Sequence, residues 1–188
     1  EIIAMIKDVE SDDAFIQALT APDFCTKYSS PEKNYFYWKY ENYLRRTEQP
    51  VATPMTHEDL RQKENKKLVM TIEHIVAQSN SGEKSKVITD ALKIDVGSVE
   101  VFDEKYLNSI GNLTLDPQSA NSSKGKKDVD EKNSKYFAKA PYKCQNELEE
   151  FMIDDVWTLE SIKKRKAKLL TFAKELWCNF DFVKVLRV

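Results

Sequence analysis

The sequence predicts an α+β fold, predominantly helical, in which two short strands and a following helix are embedded in a helical domain. Three observations carry that prediction. Apolar residues recur at helical spacing in three separate segments. Only two stretches, KLVMTIEHIV (67–76) and GNLTL (111–115), have the β-branched and aliphatic content of strands. No internal repeat or low-complexity linker interrupts the order of helices, strand, long loop, strand, helix and helices.

The first helix starts at Ser11, with Asp12 and Asp13 near the positive end of its dipole, and Pro22 ends it. Phe15, Ala18 and Leu19 form its apolar face. A second helix begins near Ser30-Pro31 and runs through EKNYFYWKYENYLRR, with Phe36, Tyr40, Tyr43 and Leu44 on one buried stripe. That stripe predicts core rather than a base-stacking surface. Thr56 and Asp59 read as a capped turn opening THEDLRQKEN, with His57 on the surface. The segment AQSNSGEKSKVITDALKIDVGSVEVF is loop with short irregular or helical pieces, and DEKYLNSI a short helix that packs Tyr106 and Leu107. Gly111 introduces the second strand, and Pro117 suits the first turn of a helix carrying Asn121 and several lysines. Thr158 caps the clearest helix, along which Leu159, Ile162, Lys166, Leu169, Leu170, Ala173, Leu176 and Trp177 recur.

With 188 residues, 41% hydrophobic and 32% charged, the chain has the size and composition of one ordinary globular domain with a small helical annex. No apolar run approaches the roughly 18 to 20 residues of a membrane helix, and no signal-peptide pattern opens it. The first residue is Glu1 rather than Met, which predicts a piece of a longer protein. Cys25, Cys144 and Cys178 are distant, odd in number and form no C-x-x-C pair. That excludes a disulfide framework or a cysteine zinc knuckle and fits a reducing cytoplasm. The net charge of −2 is uneven: acidic residues dominate the opening segment, and lysines dominate 124–139. A weakly acidic chain still binds a polyanion through a local basic face, so average charge does not decide the partner.

Glu73 and His74 end the first strand, and Asn121 follows the second. Two antiparallel strands and a helix bring such residues to one point. A carboxylate and an amide oxygen suit Mg²⁺ or Mn²⁺, and a histidine with an ordinary pKa near 6.5 serves as a base at neutral pH. Lys124, Lys126 and Lys127 lie where they can hold phosphates. Together these parts make a phosphodiester hydrolase in which His74 takes a proton from the attacking water. Each has a plainer structural reading: a packed histidine, a surface glutamate, turn asparagines, and a solvated lysine face. The last applies to Lys132, Lys135 and Lys139.

The motifs IEHIVAQ, SIGNLTLDPQSANSSKGKK and W-T-x-x-x-I-x-x-R at Trp157 to Arg165 resemble the HNH (ββα-metal, or His-Me finger) nuclease domain. More closely, they resemble the C-terminal domain of GmrSD-type modification-dependent restriction endonucleases. The aromatic helix is similar too, so the likeness runs from about Tyr35 to Trp177. It implies a ββα-metal motif within residues 31–188, with residues 1–30 as an N-terminal annex. It further implies His74 as general base, Glu73 and Asn121 as metal ligands, and Asn112 as the residue that fixes the hairpin and the histidine. Arg165, with Lys124, Lys126 and Lys127, is the expected contact to nucleic acid. Glu73 stands where many relatives have aspartate, and Ala77 where many have proline, which predicts a looser exit from the strand.

The resemblance implies a metal-dependent DNA endonuclease in the bacterial cytoplasm that restricts foreign or modified phage DNA, with Mg²⁺ preferred over Mn²⁺. It also implies double-stranded DNA as partner and a missing N-terminal NTPase or sensor region. The competing expectation is a catalytically inactive nucleic-acid-binding module of a defence complex.

Overall fold

The computed structural model describes residues 11–47, 52–64, 67–78, 96–120, 127 and 129–178. Its first helix, α1 (Asp12–Thr20), starts where the side chain of Ser11 accepts from Ala14 N–H, and it buries Phe15 and Leu19. The short α2 (Phe24–Lys27) adds Phe24, and α3 (Ser30–Thr47) carries the aromatic stripe. Phe36, Tyr37, Tyr40 and Leu44 are buried in one apolar cluster with Phe15, Leu19 and Phe24. The stripe is core, as its spacing predicts. Phe36 meets Phe172 at 5.9 Å and Trp177 at 5.8 Å between ring centroids, which ties α3 to the C-terminal helix.

The capping box at Thr56 and Asp59 opens α4 (His57–Arg61), a single turn shorter than the polar run implied. An unpredicted pair, β1 (Lys63–Glu64) and β2 (Lys67–Leu68), follows as a small antiparallel ribbon. The main sheet is β3 (Met70–His74) against β4 (Leu113–Pro117), antiparallel, with Glu73 opposite Thr114 and His74 opposite Leu113. The second strand thus starts two residues later than GNLTL suggests, because Ile110–Asn112 form a 3₁₀ turn. Pro117 is the last residue of that strand, its missing N–H tolerated at the end of a two-stranded edge, and the expected helix starts one residue later, at Gln118.

Between the strands, α5 (Val99–Phe102) passes into a π-helical turn, Asp103–Leu107, that buries Leu107. After β4 come α6 (Val129–Lys135), α7 (Lys143–Asn146) and 3₁₀ turns. The long α8 (Leu159–Ala173) is capped by Thr158 and Ser161, and extends as a π-helical turn to Cys178.

Two apolar clusters form the interior, and β3 runs from one to the other. Met70, Leu113 and Leu115 belong to the first, with Ile72 packed against it. Ile75 and Val76 belong to the second, with Phe102, Leu107, Val129, Trp157 and Ile162. Glu73 and His74 therefore lie at the seam. The long helix spans the same seam, giving Ile162 to one cluster and Leu169 and Phe172 to the other. Gly111 lies where α8 crosses the 3₁₀ turn: a Cβ there would overlap the Ile162 carbonyl oxygen. Close approach, rather than turn conformation, requires this glycine.

Candidate functional site

His74 is the last residue of β3, half-buried, with its ring against the π-helical segment. Its Nε2 lies 3.2 Å from Asn108 Oδ1, and Gln78 Nε2 donates to the same oxygen at 3.3 Å. An oxygen that accepts from Gln78 accepts from His74 as well, so the imidazole carries its proton on Nε2. That tautomer leaves Nδ1 as the basic nitrogen. Loss of hydration is the main cause that holds the imidazole pKa down to about 4; the bond to Asn108 opposes it, and the positive charges of Lys132 and Lys33 act with it. His74 is accordingly neutral at physiological pH, which a general base requires.

Asn112 fixes the chain just beyond the histidine. Its backbone carbonyl accepts from Ile75 N–H at 2.9 Å, one step past the His74–Leu113 pair. Its side chain accepts from Val76 N–H at 2.9 Å and donates to the carbonyls of Val76 at 3.2 Å and Leu107 at 2.9 Å. The carboxamide thus imitates a peptide unit and prolongs the ladder into a segment without strand geometry. Val76 and Ala77 are both buried, and the loop beyond Gln78 lies outside the described residues.

Glu73 occupies the opposite side of β3, since successive side chains in a strand alternate faces. Its carboxylate is almost wholly buried and accepts from Lys132 Nζ at 2.5 Å. The same ammonium donates to the carbonyl oxygens of His74 at 2.7 Å and Ile75 at 3.3 Å. Lys132 is fully buried, which corrects its expected place on a solvated face. Lys132 follows Val129 by three residues on α6, so the lysine shares the side of the helix that Val129 buries.

The resemblance asks Glu73 and Asn121 to hold a divalent metal. Asn121 lies outside the described residues, as do Lys124 and Lys126. Among the described residues no group of three His, Cys, Asp or Glu side chains gathers. The oxygens at Glu73 are hard donors of the right kind, but a lysine ammonium already fills their centre. In this arrangement Glu73 does not fit the metal. Lys127 is half-buried and pairs with Glu131 at 2.8 Å.

Arg165 is the clear correction. It is fully buried, with Nη1 donating to Leu113 O at 2.5 Å and Gly111 O at 3.3 Å. Its Nε faces the buried Glu147 carboxylate at 3.7 Å. A guanidinium enclosed by carbonyls of the 3₁₀ turn cannot meet a phosphate at the surface. It braces the start of β4, together with Tyr37, whose hydroxyl donates to Ile110 O at 2.6 Å.

The seam thus holds a neutral, oriented histidine whose strand end is clamped from both sides. A family model described as GmrSD restriction endonucleases, C-terminal domain, matches residues 9–172. The chain belongs to this family. The match takes in both strands of the main sheet, His74, Asn108, Asn112 and Lys132. No curated protein and no solved structure matches the chain. As a GmrSD C-terminal domain it belongs with restriction endonucleases, and no helix among its described residues is long and apolar enough to cross a membrane. Asn108 and Lys132 are the site residues that sequence reasoning missed. Asn108 lies in the stretch YLNSIGN, directly after the apolar Leu107, and nothing local marks it as a partner of His74.

Proposed function

We propose that this chain is a DNA endonuclease of a restriction system, hydrolysing phosphodiester bonds with His74 as general base. The observation that carries the reading is the half-buried imidazole, neutral and held through Nε2 by Asn108, with Nδ1 left to accept a proton. A water deprotonated there attacks phosphorus, the bond to the 3′-oxygen breaks, and that oxygen takes a proton from solvent, giving a 5′-phosphate and a 3′-hydroxyl. Asn108 keeps the ring in the productive tautomer, and Asn112 holds the backbone that carries it. Lys33, whose charge already acts on His74, favours an anionic substrate at this place.

In this proposal the motif formed by β3, β4 and the segment after them is of the ββα-metal type, and the activity depends on a divalent metal, Mg²⁺ or Mn²⁺. Lys124, Lys126 and Lys127 remain proposed phosphate contacts, and Asn121 a proposed metal ligand. Double-stranded DNA, modified phage DNA included, is the substrate, and an NTPase or sensor region of the same protein or complex is the partner.

The test is conversion of supercoiled plasmid to nicked circles with Mg²⁺ or Mn²⁺, compared with the same reaction after chelation by EDTA. Nicking that chelation abolishes supports the proposal. DNA binding that weakens with salt, without any nicking, assigns the chain instead to the inactive binding module.

A further inference from the structure

We propose that Lys132 is the resident cation of the Glu73 carboxylate, so that Glu73 serves as counterion to a buried lysine and not as a metal ligand. The inference rests on the nuclease reading only in naming a divalent metal as the competitor for this carboxylate.

The lysine ammonium has three N–H donors, and among the described residues it donates to Glu73 Oε1 at 2.5 Å, His74 O at 2.7 Å and Ile75 O at 3.3 Å. Its side chain is 0% exposed and that of Glu73 is 7% exposed. Neither partner can leave without stranding the other charge in the interior, which is strongly unfavourable. The lysine is also fixed at its base, because α6 is anchored in the second cluster through Val129.

A magnesium ion needs octahedral oxygens at close range and keeps several waters. A carboxylate so nearly enclosed has little room for a hydrated ion. Any metal sharing Oε1 would also stand within about 5 Å of the ammonium, given metal–oxygen distances near 2.1 Å, and the two cations would repel. Strand alternation adds a third reason: an ion on Glu73 would sit on the face of β3 away from the His74 ring. Lys132 therefore replaces a metal in neutralising Glu73 and in gathering the carbonyls at the strand end.

The test uses the full chain and neither DNA nor cleavage, so its failure is separate from failure of the nuclease reading. Mn²⁺ binding is followed by electron paramagnetic resonance in the wild type and in Glu73→Gln. Equal affinity within about twofold, or no binding in either protein, is expected. A loss of tenfold or more in Glu73→Gln would overturn the proposal. Thermal unfolding of Glu73→Gln, Lys132→Met and the double variant should show single-variant falls in Tm on the order of 10 °C. The double variant should fall by less than the sum, and strictly additive losses would contradict the pairing. Should Lys132→Met fail to fold, the wild type decides alone. Its Lys132 ammonium resonance should be protected from exchange and unmoved by excess Mg²⁺; displacement of that resonance by Mg²⁺ would refute the assignment.

Discussion

The side chain of Asn112 and the peptide of Val76 are hydrogen-bonded in both directions, at 2.9 and 3.2 Å, two residues beyond His74. A single carboxamide thereby continues the sheet past its last regular pair and sets where the histidine stands.

Replacing Asn112 by alanine strands the Val76 N–H and two carbonyls in a fully buried place. We expect a loss of about 2–4 kcal/mol, from unsatisfied polar groups and a small cavity. Equilibrium urea denaturation measures it. A change under about 0.5 kcal/mol, the range of ordinary surface substitutions, would show that the clamp does not hold the strand end.

Arg165→Met separates structure from DNA contact. Glu147 already has its pKa raised by burial, with Arg165 and Lys168 opposing that shift, so losing the guanidinium leaves a less compensated buried carboxyl. Stability should fall by about 3 kcal/mol or more. The slope of DNA affinity against salt should stay unchanged, because no phosphate contact is lost. A smaller slope at unchanged stability would return Arg165 to the surface.

Gly111→Ala should destabilise by about 1–3 kcal/mol, since the new methyl must push α8 away from the 3₁₀ turn. Tm by differential scanning calorimetry tests this, and an unchanged Tm would mean that α8 and the turn are further apart.

These cases show what was legible in the sequence. The capped helices at Ser11 and Thr158 and the aromatic stripe of α3 follow from spacing and short-range hydrogen bonds, so a reader of the sequence finds them. His74 on a strand end is legible for the same reason. Asn108, Arg165 and Lys132 are not, because their roles come from partners 34, 52 and 59 residues away. Local pattern treats a lysine or arginine on a helix as wet, and only tertiary contact shows the oxygens that neutralise it. The requirement for Gly111 is hidden likewise, since it depends on a helix that follows it by about fifty residues in the chain.

The depressed pKa of His74 fixes the sign of a pH effect. Unfolded histidine titrates near 6.5 and the folded one near 4, so between these values the unfolded chain binds more protons. The stability from His74 is therefore complete above about pH 6.5 and is lost as pH falls through about 4, by a few kcal/mol in all. Urea unfolding of the wild type and His74→Ala across this range should diverge in that direction. The acid limb of the nicking rate should lie nearer pH 4 than 6.5, and Asn108→Asp should move it up by bringing a carboxylate to Nε2. A wild-type limb at about 6.5 would show that the ring is solvated as in a free peptide.

The central claim is that His74 is the base, and plasmid nicking by His74→Ala beside the wild type tests it most directly. Both proteins should bind plasmid equally at matched salt and metal. The variant should nick at least about 100-fold more slowly, the usual contribution of a positioned general base. Equal nicking by the two proteins would contradict the account.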